Sequence, residues 1–521
     1  MTVRRRLDAR TVAAGMLGFA SALPFVFLTG TLAAWFSELG ISMTTIGLLS
    51  SITLAYGFKL LWAPLVKRAL HRWMAVCQLG LAIGFAALAS LDPQSDLNRF
   101  ALTGFAAALL SATFDTAFEA WRIRVADEET PVEVIMTASQ IGARVAVLLA
   151  GAGALWLSAL VGWNLAALAL ACLFALLAAV ILIWPAMRAG TDADDPAPVD
   201  PGSAAGQQLV AVACAVAGLG IAIWQVVGFI ARISSAPGDQ QAQVEAYITL
   251  HGPLILAMIT IVPILASRMG KRLEGRLSHW SPDTGTARRL RDAYDAVVAP
   301  FEELAERFGL RLVLVFVFVA IYTLSWFSWA GFTLPLYLRE LGFTMEEVAA
   351  ARLYGSLPTA IGILVGGFTL LKLPRRQALL VGALLPLVAN ATYIDLALGG
   401  TALRGVVDLF AAALQSETSD DVEHWAPLYL SITLKNLTSG IASAIFVGFL
   451  ASLVNPRFAS VQCAIFSSLS FVTGTIVSAA AGSLIDAVGF ARMLEYASLF
   501  ALVAAISSLS LSGAFYRRAP R

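Results

Sequence analysis

The stretch Trp35–Ile46, "WFSELGISMTTI", returns 302 residues later as Tyr337–Val348, "YLRELGFTMEEV". Both copies carry the core E-L-G-x-[ST]-M, and each links one long apolar run to the next. A helix-capping turn of the form [ST]-x-x-[ITV] could recur on its own. Six matched positions at equivalent places point instead to an internal duplication.

Working outward, apolar runs of about 18–27 residues, enough to cross a bilayer, can be placed at fourteen sites. They are 11–36, 44–66, 73–91, 100–121, 135–158, 162–184, 208–230, 247–267, 312–338, 347–371, 377–395, 425–453, 458–481 and 490–515. The repeat divides them into six spans, two inserted spans and six more. Such repetition marks secondary transporters, whose substrate site lies between the halves near the midplane. The expected class is therefore an all-α polytopic membrane protein with 14 transmembrane helices and the major-facilitator fold. The expected division is a six-helix lobe (1–187), a linker (188–207), two inserted helices (208–267), a charged loop with an amphipathic helix (268–310) and a second six-helix lobe (311–521).

Composition agrees. Of the 521 residues 59% are hydrophobic and 13% charged, and mean hydropathy is +0.79. A soluble globule carries about 25% charged residues. A net charge of +1 gives no reason to expect nucleic-acid binding. Cys77, Cys172, Cys214 and Cys463 fall in apolar runs and form no CxxC pair. His71, His251, His279 and His424 lack ligand spacing, and no GxxxxGK[ST] loop is present. No cofactor or metal is expected. The N-terminus "MTVRRRLDAR" runs into the first apolar segment without an AxA site and reads as an uncleaved first span.

Basic residues set the orientation. With both termini cytoplasmic, only Arg99, Arg232, Arg339, Arg404 and Arg492 fall outside, against 26 inside. Losing or adding one span would invert the later loops and spoil this bias, so the positive-inside rule supports fourteen. Pro24, Pro335 and Pro358 are expected to kink their helices.

Charges inside the spans are the candidate functional groups, because intramembrane ionisable residues are costly and functional by default. Asp115 and Glu119 are four residues apart and share one face of the fourth span. Arg122 follows near the cytoplasmic end. Arg144, in the antiparallel fifth span, lies at similar depth and is expected to pair with the two acids. In this reading Asp115 or Glu119 exchanges a proton, Arg144 senses the charge, and protonation frees Arg144 for an anionic group on the cargo. Lys59 reads as a snorkelling side chain or an anion contact. Arg352 reads as snorkelling. Lys435 lies in the repeat equivalent of the fourth span and is a candidate cargo contact. Tyr322, Trp326 and Trp329 form a stripe on the ninth span. Tyr322 and Trp326 suit a cavity where sugar rings stack, and Trp329 suits an interfacial belt.

The stretches "GFASALPFVFLTGTLAAWFSELGI", "TIGLLSSITLAYGFKLLWAPL", "LLSATFDTAFEAWR", "IGARVAVLLAGAGALWL", "PLVANATY" and "LKNLTSGIASAIFVGFLASLVNPRFASVQCAIFSSLS" resemble the AmpG-type muropeptide permeases of the major facilitator superfamily. The likeness covers most of 15–185 and 322–513. It implies proton-driven import of N-acetylglucosamine–anhydro-N-acetylmuramic acid, with or without peptide, across the bacterial inner membrane. It also implies that Asn390, Asn436 and Gln462, at family-matching positions, hydrogen-bond sugar hydroxyls or amides; bonding between helices is the alternative. The chain departs from the family pattern at Lys67 and Phe114, where Asp and Gln are usual, at Glu119 in place of Asp, at Lys435 in place of an acid, and at Gly474 in place of a polar or basic residue. The expected partners are an amino-sugar or peptide small molecule and the lipid bilayer, and the expected state is a monomer. Other cargo, such as a nucleotide thioester, is the alternative reading. An embedded enzyme is less favoured, for want of a nucleophile–base pair or a metal cluster.

Overall fold

The computed structural model describes residues 8–39, 55–66, 69–189, 205–233, 240–272, 284–413 and 420–511. Among these residues there is no strand. Thirteen helices are long and apolar enough to cross a membrane. The remaining expected span, 44–66, falls in part (44–54) outside the described residues, and Lys67 also lies outside them.

The chain forms two compact units that are discontinuous in sequence. One comprises 1–131, 145–313 and 453–472; the other comprises 132–144, 314–452 and 473–521.

In the first unit the opening helix Ala9–Val26 contains Pro24 and passes into a π-helical turn, Phe27–Thr31. Proline removes a backbone donor and crowds the preceding turn, so the register loosens just beyond it. The Thr31 hydroxyl donates to the carbonyl of Ala150, inside a second π-helical turn, Leu149–Gly153. Two loosened turns thus meet, and a side chain satisfies a carbonyl there. Phe27, Phe85 and Phe174 pack in series, tilted and then edge-on, with ring centroids 5.1 and 4.8 Å apart, and tie the first span to the helices Leu70–Ser90 and Trp163–Ile183. Glu38 of the repeated E-L-G core accepts a 2.6 Å hydrogen bond from the Trp163 indole.

The inserted helices Ala205–Ile233 and Gln240–Arg272 pack on each other through Gly218, whose missing Cβ leaves room for Val262. The charged loop contributes two helices, Thr284–Val297 and Ala299–Phe308. Leu290, Tyr294 and Val298 form an apolar face against Ala211, Ala215 and Ala266 of the inserted pair. The second of these helices also grips the turn before the thirteenth span. Glu303 accepts 2.7 Å from the Gln462 amide and pairs with Arg307 at 3.0 Å, the Gln462 side-chain oxygen accepts 2.8 Å from the Asn455 N–H, and Asp295, on the first of the two helices, meets Arg457 at 3.3 Å. Glu303→Ala removes the charged acceptor of the fully buried Gln462 amide and leaves it only the Pro300 carbonyl. It should cost about 1–3 kcal/mol, read as a lower unfolding midpoint in detergent. An unchanged midpoint would mean that this strap does not hold the helix.

In the second unit the ninth span is not one helix. It runs as Arg311–Tyr322, Leu324–Ala330, a short turn Thr333–Pro335 and a π-helical turn Leu336–Glu340. The repeated core then does two local jobs. Gly342 takes φ +72°, a left-handed conformation that other residues rarely adopt, and so ends the span. Thr344 and Glu347 form a reciprocal capping box that starts the helix Met345–Lys372. Pro358 lies within that helix, which continues through it without a break.

Helix Met345–Lys372 meets Asp420–Leu453 through glycines: a Cβ on Gly362 would lie 2.3 Å from the Leu437 carbonyl oxygen, and one on Gly440 2.5 Å from that of Thr359. Such close backbone approach is how small residues hold membrane helices together. Gly489, at φ +82°, separates the last two spans. Thr401–Ala413, between the expected spans 377–395 and 425–453, is a helix. The reason is Asp395, whose carboxylate accepts from the N–H groups of Ala402 and Leu403 at its start.

Candidate functional site

The fourth span is the helix Leu97–Arg124. Its face carries Ser111, Asp115, Glu119 and Arg122 at intervals of three or four residues, which stack vertically on an α-helix. Against this face comes an irregular stretch. After residue 57 the chain turns at Phe58 and continues as two short 3-10 turns, Lys59–Leu61 and Ala63–Leu65, with Pro64 in the second. The break swings Lys59 inward, and its side chain is only 4% exposed.

Lys59 Nζ donates to Asp115 Oδ2 at 2.5 Å. Ser21 donates to the other oxygen of Asp115 at 2.9 Å. Glu119 Oε2 lies 3.0 Å from Lys59 Nζ but off the hydrogen-bonding direction, so charge rather than a directed bond holds it. Tyr56 donates 2.6 Å to Ser111, one turn above Asp115. Arg122 is close enough to act on both acids, yet its guanidinium lies 4.6 Å over the Phe118 ring and ion-pairs with neither. The Cys463 thiol lies 4.0 Å from the Glu119 carbonyl oxygen. Two carboxylates and one ammonium are thus enclosed together, and such a group can take up or lose a proton as its surroundings change.

The pairing expected between these acids and Arg144 goes to Lys59 instead. Arg144 makes no ion pair among the described residues. Similar depth along two helices does not say which way a side chain faces; the broken second span aims Lys59 at the acids. Ser21, Tyr56 and Ser111 were not singled out in the sequence. Ser111 carried a signal, a polar residue one helical turn from Asp115, whereas Ser21 and Tyr56 lie on other spans.

The other sequence candidates lie elsewhere. Lys435 is in the second unit, 4.8 Å over the Trp329 ring and 5.5 Å over Tyr393. Asn390 is fully buried, accepts 3.2 Å from the Trp329 indole and donates 3.1 Å to Ser498. Asn436 packs into the space left by Gly355, where a Cβ would be 2.2 Å from its amide nitrogen. Gln462 is bound by Glu303 and Pro300, as above. Tyr322 is covered by the Phe446 ring at 4.7 Å, so its face is not open to a sugar. Trp326 stands edge-on to Tyr322 and remains half-exposed. Trp329, expected in an interfacial belt, is 2% exposed, because Asn390 and Tyr393 enclose it. Gly474 is small because the Phe327 ring comes within 2.6 Å of its Cβ position. No group of His, Cys, Asp and Glu among the described residues could hold a metal ion.

No family model matches the chain. It is 26% identical to the anhydromuropeptide permease of Escherichia coli strain K12 over 512 residues, covering 95% of this chain and 77% of that protein. It is 23% identical to the putative transporter AmpG 4 of Rickettsia conorii over 509 residues, covering 95% of each. Among solved structures it is similar to the proton:xylose symporter XylE (TM-score 0.58, 11% identity, 97% and 95% of the two chains). It is also similar to a POT-family peptide transporter (TM-score 0.53, 14% identity, 98% of each chain). The chain is thus similar over nearly its whole length to AmpG-type permeases, and it shares the major facilitator fold of the solved transporters.

Proposed function

We propose that the chain is a proton-coupled symporter that imports peptidoglycan fragments, N-acetylglucosamine–anhydro-N-acetylmuramic acid with or without peptide, from periplasm to cytoplasm. In this reading it has fourteen spans and cytoplasmic termini, works as a monomer, and uses no cofactor beyond the coupling proton. The permease likeness over nearly the whole chain supports the cargo.

One observation carries the coupling: two buried carboxylates share a single lysine. Asp115 has two directed hydrogen bonds to hold its charge and Glu119 has none from a side chain. Glu119 is therefore the exchanging group and Asp115 the anchor of Lys59. When Glu119 is protonated, Lys59 turns fully to Asp115 and the cluster is neutral. When it is deprotonated, the cluster carries one excess negative charge. That difference in charge lets a proton bias which side of the membrane the site faces.

The test is uptake of labelled disaccharide–anhydromuropeptide into proteoliposomes under an inward proton gradient. Accumulation that collapses with a protonophore is expected. Uptake indifferent to the gradient overturns the coupling, and no uptake at all overturns the cargo.

A further inference from the structure

Lys435 poses a problem that the Lys59 cluster does not solve. It lies in helix Asp420–Leu453, half-buried and well inside the span. Lys59 has two carboxylates; Lys435 forms no ion pair among the described residues. The charge nearest in effect is another cation, Arg352, which acts on Lys435 and on the hydroxyl pair of Tyr337 and Tyr393. Four described carboxylates of this unit have partners of their own. Asp395 caps a helix, Glu347 closes the capping box, Glu133 pairs with Arg375, and Glu495 pairs with Arg492.

What surrounds the ammonium is an aromatic corner held rigid by its own hydrogen bonds. Trp329 is fixed by Asn390 and by the Ser325 carbonyl. Tyr393 is fixed by Tyr337, and the Trp329 and Tyr393 rings meet at 4.7 Å and 50°. Their faces attract the ammonium, but cation–π contact makes up only part of the hydration that a half-buried ammonium gives up. The rings accept no hydrogen bonds of ordinary strength, so the N–H donors of Lys435 stay available.

We infer that Lys435 is the receptor for an anionic group on the cargo, and that this group is a carboxylate. The inference rests on the transport reading above and adds that the cargo is recognised as an acid. The rigid corner of Trp329 and Tyr393 sets the position of the ammonium, and the arriving carboxylate supplies the counter-charge that the fold withholds. The Lys59 cluster handles the proton; Lys435 handles the cargo's charge.

The test uses the purified full chain in nanodiscs, with 1,6-anhydro-N-acetylmuramic acid and its methyl ester as probes. The wild type should bind the acid about 10- to 100-fold more tightly than the ester, the range of one charge-assisted hydrogen bond. Lys435→Gln should lose that ratio and leave the ester's affinity unchanged, and Lys435→Arg should keep it. The empty Lys435→Gln protein should also melt higher than wild type, because it sheds a buried charge without orphaning a partner; a merely structural lysine would make it melt lower.

If neither probe binds the wild type, the muropeptide reading fails. The anion site is then read with acetate, which should raise the melting point of the wild type and not of Lys435→Gln. An equal acid-to-ester ratio in Lys435→Gln and wild type overturns the inference. So does a melting point that acetate leaves unmoved in wild type, or moves equally in both.

Discussion

Lys59→Met should be the most damaging single substitution in the protein, costing about 3–5 kcal/mol of stability. Removing one partner of a buried ion pair leaves its charge without compensation, and here two carboxylates lose the same lysine. The methionine replaces the stem's volume but not the ammonium. The loss should depend on pH with a definite sign. The stranded carboxylates can be neutralised by protons, so the variant is weakest at alkaline pH and recovers as pH falls. It should also be rescued by chemistry rather than by packing. The triple variant Lys59→Met/Asp115→Asn/Glu119→Gln removes every charge together and should regain most of the lost stability, though not transport. Unfolding titrations of the wild type, Lys59→Met and the triple variant across pH decide this. If Lys59→Met is as stable as wild type at every pH, the charges are not coupled as described.

Glu119→Gln should abolish accumulation while leaving the protein folded. One proton moving with each cargo molecule allows about tenfold accumulation per pH unit. Glutamine keeps the shape and takes no proton, so the variant should equilibrate its cargo to equal concentrations on the two sides. Exchange of labelled for unlabelled cargo needs no net proton and should persist. Wild-type uptake should rise as the outside becomes more acidic than the inside, and the variant's should be flat. Asp115→Asn removes the anchor of Lys59 and should lower the rate of exchange as well as accumulation. If Asp115→Asn and Glu119→Gln both accumulate cargo like wild type, neither acid couples transport to the proton.

The two predictions separate jobs that one cluster performs. Lys59 bears on whether the acids can be buried, and Glu119 on what they do once buried. Lys435 is the contrasting case: a lysine without a carboxylate needs a ligand, where a lysine with two has its partners built in.

Much of this was legible from residue order, because it depends only on local spacing. Apolar runs long enough for a bilayer must be helices there, since no water is present to satisfy an open backbone. The i, i+4 spacing of Asp115 and Glu119 puts them on one face in any helix. Gly342 and the Thr344–Glu347 box end one span and begin the next through their own conformational preferences. What order along the chain left undetermined was direction in space. Arg144 and Lys59 were both cations at a suitable depth, and only the break in the helix at Phe58 turns Lys59 onto the acids. Gln462 finds Glu303 across 159 residues, and Trp329 is enclosed by Asn390 and Tyr393 from another helix. A helical period tells which residues share a face; what that face meets depends on how separate helices rotate and cross, and tertiary packing sets that through contacts distant in the chain.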